Sequence, residues 1–290
     1  MITTEIKQRI IDEIKRRRPN YGSDAKMAVA LGINSAQFSR ILKGELENVV
    51  SNANWVSIAR KLEVQIGAQS EWVTAKTPVF NYIYGQLEAC QANALSGLLC
   101  DIADVGKTYT ARCYAKEHKN AVYIDCSQVK TKQKLVRQIA KEFGINHIGR
   151  LNEVYEDLIY YLRSIPNPLI ILDEAGDLDY SAFLELKALW NATEHSCGWY
   201  MMGADGLRRK IESNLSRSKV GYTEIFSRYG SRYQKITPDG KAELEKFNMT
   251  QVALIAQANG AKKTDIQKIY AKTNGSLRRI YTEIQKSKAD

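Results

Sequence analysis

At 290 residues, 44% of them hydrophobic, the chain is too long for one small domain and long enough for two or three with real cores. Its net charge of +10 favours polyanionic partners, nucleic acid first, and 26% charged residues is otherwise ordinary. Five cysteines without a C-x-x-C pair argue against a disulfide framework or a zinc site. No apolar run approaches the roughly 20 residues of a membrane span, and the charged start "MITTEIKQRIIDEIKRRR" lacks a signal peptide's apolar stretch, so a reduced, cytoplasmic protein without a membrane role is expected.

Residues 1 to 67 read as short helices. Ile6, Ile10, Ile11 and Ile14 recur at helical spacing until Pro19 ends the first. In "SDAKMAVALGINSAQFSRILKGE", Ser23 or Asp24 caps a helix to Leu31, Gly32 supplies a left-handed turn, Ile33 packs inward, and Ser35 caps a second helix through Leu42. This is the layout of a helix-turn-helix, in which the second helix enters the major groove. Ser35, Gln37, Ser39 and Arg40 would face DNA, Gln37 and Arg40 toward base edges, with Lys43 toward phosphate. A helical docking or dimerisation domain is the alternative. "NANWVSIARKLEV" follows as another helix.

Residues 68 to 85 lose helical periodicity, include Pro78, and are expected to be a linker. Beyond them strands and helices alternate, as a parallel α/β sheet requires. Strands are expected at residues 95–100, 121–126, 169–172 and 199–203, with "RYQKI" (Arg232 to Ile236) last; residues 86–237 form the α/β core, and residues 238–290 a helical, lysine-rich end.

Within the core, "LLCDIADVGKT" follows a strand and opens a helix, the context of a phosphate-binding loop. Backbone N–H groups of Asp104, Val105 and Gly106 and of the first helical residues, Lys107 to Tyr109, would surround phosphates; Lys107 would neutralise the β and γ oxygens, and the Thr108 hydroxyl would bind Mg²⁺. The motif's first glycine is replaced by Asp101. Asp101 and Asp104 would weaken binding of a polyphosphate unless they point away or accept donors. About 65 residues on, "PLIILDEAGDL" is a buried strand ending in Asp173, which suits water-mediated Mg²⁺ binding, and Glu174, which suits activation of the attacking water. The two motifs together imply a nucleoside triphosphate and Mg²⁺ as ligands and hydrolysis of the triphosphate as the reaction; the resemblance that follows makes the nucleotide ATP.

These motifs, with "WYMMGAD", "SRYGSRYQKI" and "TNGSLRRI" and the preceding helix-turn-helix, resemble the AAA+ ATPases. Within them the chain resembles the transposition regulators related to the phage Mu B protein and to the TnsC, IstB and ExeA types. The resemblance implies a P-loop core with a small helical lid over residues 238–290. It places Asp205 at the sensor 1 position, Arg228 or Arg232 as an arginine finger reaching a neighbouring subunit, and Arg278 or Arg279 at the sensor 2 position. It also turns the segment carrying Lys130, Thr131, Lys132 and Lys134, and Arg150 in the next loop, toward the DNA backbone, where contacts fix position without reading sequence. The implied function is ATP-dependent, largely nonspecific binding of double-stranded DNA by a homo-oligomer or filament that delivers target DNA to a transposase. A sequence-specific, ATP-sensing transcriptional regulator and a replication initiator or helicase loader share the motifs.

Overall fold

The computed structural model describes residues 2–66 and 72–289. Its first helices are α1 (Thr4–Arg17), α2 (Asp24–Leu31), α3 (Ser35–Leu42) and α4 (Asn52–Lys61). They close around Ile10, Ile11, Ile14, Met27, Phe38, Ile41 and Trp55, all buried. Ser23 Oγ accepts from Lys26 N at the start of α2, and Gly32 ends it with φ 77°. The cap of α3 differs from the one expected. Asn34, not Ser35, is the N-cap: its Oδ1 accepts from Gln37 N (2.8 Å), while Gln37 Oε1 accepts from Asn34 N (3.2 Å). This reciprocal box satisfies two donors that the helix start leaves unpaired, where Ser35 alone offers only one acceptor.

The expected linker over residues 68–85 is also corrected. Residues 68–71 lie outside the described residues, but α5 (Pro78–Asn93) is helical from Pro78 on. Proline at the first helical position loses no intrahelical bond and presets φ, so here it starts a helix; Thr77 Oγ1 caps it by accepting from Phe80 N. Val79, Ile83, Leu87 and Cys90 then turn toward the sheet.

The α/β core continues with β1 (Ser96–Cys100), α6 (Lys107–Glu117), β2 (Ala121–Asp125), α7 (Lys132–Glu142), α8 (Leu151–Ser164), β3 (Leu169–Asp173), α9 (Tyr180–Ala192), β4 (Gly198–Gly203), α10 (Asp205–Ser216) and α11 (Tyr222–Arg228). The four strands are parallel in the order β1-β4-β3-β2. Each strand is apolar on both faces, as a sheet covered on both sides requires. Leu99, Ile171, Tyr200 and Met202 meet α5 and α6, whereas Leu98, Ile170, Leu172, Trp199 and Met201 meet α7 to α11. The expected fifth strand, Arg232 to Ile236, is reduced to one bridge. Gln234 pairs in parallel with β1, through Cys100 N to Gln234 O (3.0 Å) and Gln234 N to Leu98 O (2.9 Å). The ladder stops there because the next amides are taken by the Asp101 side chain.

The last helices are α12 (Lys241–Ala258), α13 (Ile266–Thr273) and α14 (Leu277–Ala289), packed around Val252, Ala256, Ile269, Ile280 and Ile284. The N-terminal helices rest on the outer face of α6: Glu13 pairs with Lys116 (3.0 Å), Asn20 Nδ2 donates to Lys116 O (2.8 Å), and Glu63 lies 3.7 Å from Arg112. Lys26 lies over the Tyr161 ring of α8. No helix among the described residues is long and apolar enough to cross a membrane.

Candidate nucleotide site

The strand β1 delivers the chain into a tight loop, Asp101 to Gly106, before α6. Gly106 has φ 102°, and Asp104 takes φ 64°, a left-handed conformation that aspartate tolerates better than most side chains. The loop leads into the positive end of α6, which starts at Lys107 with no side-chain cap and so leaves its first backbone N–H groups for a phosphate. Lys107 is buried and donates to the carbonyls of Asp101 (2.8 Å) and Ile102 (2.6 Å). Burial holds its ammonium below the ordinary lysine range, against the pull of Asp101, Asp173 and Glu174.

Asp101 is 1% exposed, and its carboxylate points away from the loop's mouth. It accepts from Ile102 N (2.8 Å), Ile236 N (2.7 Å), Thr237 N (2.9 Å) and the Thr237 hydroxyl. The residue in place of the motif's first glycine therefore clasps the far end of the core to β1. Asp104 is likewise engaged: its carboxylate accepts from Ser276 Oγ (2.5 Å) and Arg278 N (3.1 Å), and Arg278 Nε lies 3.8 Å away. A carboxylate from the phosphate loop thus caps α14 at its positive end. Arg279 N faces Ser276 Oγ (3.4 Å), so both expected sensor arginines sit in the first turn of that helix, beside the loop.

Opposite the loop, β3 ends in Asp173. Thr108 Oγ1 donates to Asp173 Oδ2 (2.6 Å), which joins the two motifs across 65 residues of sequence. Asp173 Oδ1 accepts from Glu174 N (2.9 Å). These are hard oxygen donors at a helix start, the set that suits Mg²⁺, which takes one or two protein oxygens and completes its shell with water and phosphate. Among the described residues no denser cluster of three acids, histidines or cysteines exists. Glu174 has φ 50° and is exposed at the strand's end. Partial burial, then the adjacent Asp173 charge, lift its carboxyl above the ordinary range, which suits a base. It does not cap α9; Asp179 does, accepting from Ala182 N (2.7 Å).

The other expected residues are placed less uniformly. Tyr109 is 42% exposed and its hydroxyl meets Thr74 (2.6 Å). Asp205 opens α10 at the end of β4, exposed. Arg228 is held by Asn191 (2.7 Å) and lies over the Trp190 ring, whereas Arg232 is exposed. Lys130 pairs with Asp177 (3.3 Å) and Lys132 with Glu185 (2.8 Å), while Thr131, Lys134 and Arg150 are exposed. Ser35 and Ser39 of α3 and Lys43 just after it are exposed. Arg40 pairs with Glu45 (2.7 Å), and the Gln37 amide, expected to be free for base edges, is occupied by the capping box and by Val49 O (3.3 Å). Three residues that sequence reasoning missed hold side chains around the site without lining it: Thr237 holds Asp101, Ser276 holds Asp104, and the Tyr123 hydroxyl donates to Asp173 Oδ2 (2.8 Å). Only Ser276 carried a local signal, as a serine immediately before a helix.

A parallel sheet with a phosphate loop after β1 and an acidic pair after β3 defines a P-loop ATPase, and a family model described as "AAA domain" matches residues 90–211. That segment is thus similar to AAA domains, and the chain is an ATPase. The chain is 24% identical over 265 residues to the Mu-like prophage FluMu DNA transposition protein B of Haemophilus influenzae, covering 88% of each. Among solved structures, it is similar to the Cdc6p of Pyrobaculum aerophilum at TM-score 0.54 and 18% identity, with 73% of this chain and 62% of that one covered. The Orc1 protein of Aeropyrum pernix, solved in complex with DNA, aligns at TM-score 0.45 and 16% identity, covering 72% and 62%. The chain thus spans less than two thirds of either archaeal protein.

Proposed function

We propose that this ATPase binds double-stranded DNA in an ATP-dependent, largely sequence-nonspecific way, assembles on it as a homo-oligomer, and supplies target DNA to a transposase. The observation that carries the reading is the similarity along 88% of the chain to a DNA transposition protein B, together with a nucleotide site whose parts are all in reach of one another. Lys107 and the loop amides bind phosphate, Thr108 and Asp173 hold Mg²⁺, and Glu174 takes the proton of the attacking water. Mg²⁺, when bound, neutralises charge developing on the transferred phosphoryl. Asp205 acts as sensor 1. Arg232, exposed while Arg228 is held by Asn191 and Trp190, is the better placed to reach a neighbouring subunit's nucleotide, and Arg278, already beside the loop, serves as sensor 2 from the lid.

DNA is held through its backbone by Lys130, Thr131, Lys132, Lys134 and Arg150. The helical N-terminal domain, residues 1–67, carries a helix-turn-helix whose α3, with Lys43 just after it, adds contacts through Ser35, Ser39 and Arg40. The engaged Gln37 amide favours nonspecific over sequence-specific binding, since a side chain already bonded twice within its own domain has little left for a base edge.

The test separates binding from hydrolysis. Lys107→Ala is expected to lose ATP-dependent DNA binding, and Glu174→Gln to keep or prolong it while hydrolysis falls by about 10²-fold or more. Electron micrographs of the parent with duplex DNA and a non-hydrolysable ATP analogue should show assemblies that lengthen with protein concentration. A Glu174→Gln protein hydrolysing ATP at the parental rate would refute the assigned base, and isolated, sequence-fixed particles on DNA would refute assembly.

A further inference from the structure

Tyr123 stands in β2, the strand at the edge of the sheet, where a tyrosine hydroxyl has water within reach. Instead it turns inward and donates to Asp173 Oδ2 at 2.8 Å, the same oxygen that accepts from Thr108. A carboxylate offers about two acceptor sites on each oxygen. Oδ2 is therefore filled by two hydroxyls, and Oδ1, with Glu174 N on one side, keeps a single open site. Such an anchoring fixes the rotation of the carboxylate and leaves only one direction in which it meets a hydrated cation.

The tyrosine is in turn held from outside. The Arg112 guanidinium lies 5.0 Å from the centre of its ring, over the negative face that attracts a cation. Arg112 stands on the outer face of α6, beside Lys116, and its other neighbour is Glu63 of the N-terminal helical domain at 3.7 Å. A chain of contacts thus runs from Glu63 through Arg112 and Tyr123 to Asp173.

We propose that Tyr123 is a positioning residue for the Asp173 carboxylate, and that Arg112, paired with Glu63 of the N-terminal domain, governs how firmly the tyrosine holds it. The proposal rests on the reading of Thr108 and Asp173 as the Mg²⁺ site. Partners that orient a metal-ligating group matter to affinity nearly as much as the ligands themselves. A pair as exposed as Glu63 and Arg112 contributes little alone, so Glu63 is the weakest link and Tyr123 the strongest.

The experiment measures the affinity of the full chain for a fluorescent N-methylanthraniloyl ATP, first in EDTA and then along a Mg²⁺ titration. Tyr123→Phe is expected to bind the nucleotide as the parent does in EDTA and to need about tenfold more Mg²⁺ for half of the metal-dependent tightening. Arg112→Ala should shift that midpoint in the same direction by about two- to threefold, and the double variant should go no further than Tyr123→Phe, because both act through one hydrogen bond. A Tyr123→Phe protein with the parental Mg²⁺ midpoint overturns the proposal. Should that variant fail to fold, Arg112→Ala decides, since it removes a half-exposed side chain, and an unshifted midpoint overturns the proposal there too. The underlying site is tested separately by Thr108→Ala and Asp173→Asn: if either responds to Mg²⁺ as the parent does, the assignment of the metal site fails, whatever Tyr123 shows.

Discussion

Asp101 breaks the phosphate-loop pattern at its first position, yet its carboxylate is taken up by the Ile236–Thr237 backbone and turned away from the loop's mouth. Restoring the glycine should therefore harm the protein. Asp101→Gly and Asp101→Ala each remove a buried acceptor of charge-assisted hydrogen bonds and leave the Thr237 donors without a partner, at a cost of about 3 kcal/mol. Denaturant midpoints should show that loss for both variants, with Asp101→Asn in between. A glycine variant as stable as the parent would mean that the clasp contributes nothing. At this scale the placement of Gly106, Lys107, Thr108, Asp173 and Glu174 at the ends of two neighbouring motifs was legible, because local spacing after each strand sets it. The partner of Asp101 was not: it lies 135 residues away, and no local pattern encodes it.

Among the elements, α3 shows how a cap and a reading face compete for the same side chain. Gln37 closes the capping box with Asn34 and reaches Val49 O, so substituting it changes the fold before it changes any contact with DNA. Asn34→Ala is expected to cost about 1 kcal/mol, and Gln37→Ala a somewhat smaller amount, seen as lowered thermal midpoints of the N-terminal helices. If Gln37→Ala leaves that midpoint unchanged while weakening DNA binding, its amide is free in solution and the capping assignment is wrong. The four strands and their helices were legible from apolar runs and turn residues. Two further misreadings have separate causes: Pro78 was taken as a breaker where it starts α5, and the "RYQKI" segment has the composition of a strand but lends its last amides to a side chain.

For the whole molecule, charge and pairing together set the expected behaviour on DNA. Free lysines would each remove about 0.9 from the slope of log affinity against log salt when neutralised. Lys130 and Lys132, however, rest on Asp177 and Glu185, whereas Lys134 is exposed and has no ion pair among the described residues. Replacing all three with alanine should therefore flatten the slope by about 0.9, not by the roughly 2.7 of three free cations, and weaken random and selected duplexes alike. Binding isotherms across a salt series check this; an unchanged slope would remove these lysines from the DNA interface, and a drop of the larger size would show that DNA breaks both ion pairs. The docking of the N-terminal helices on the core was illegible in the sequence, since Glu13, Asn20 and Glu63 carry no pattern distinguishing them from solvated residues.

That docking makes α6 a push-rod. Its first residue, Lys107, grips the phosphate loop, and nine residues later, about 14 Å along the axis, Lys116 is bolted to Glu13 and Asn20 of the helical domain. A tilt or slide of this short helix at its phosphate end would therefore carry the contacts at its other end with it, and the Glu13 and Asn20 contacts are where the N-terminal domain would meet that displacement.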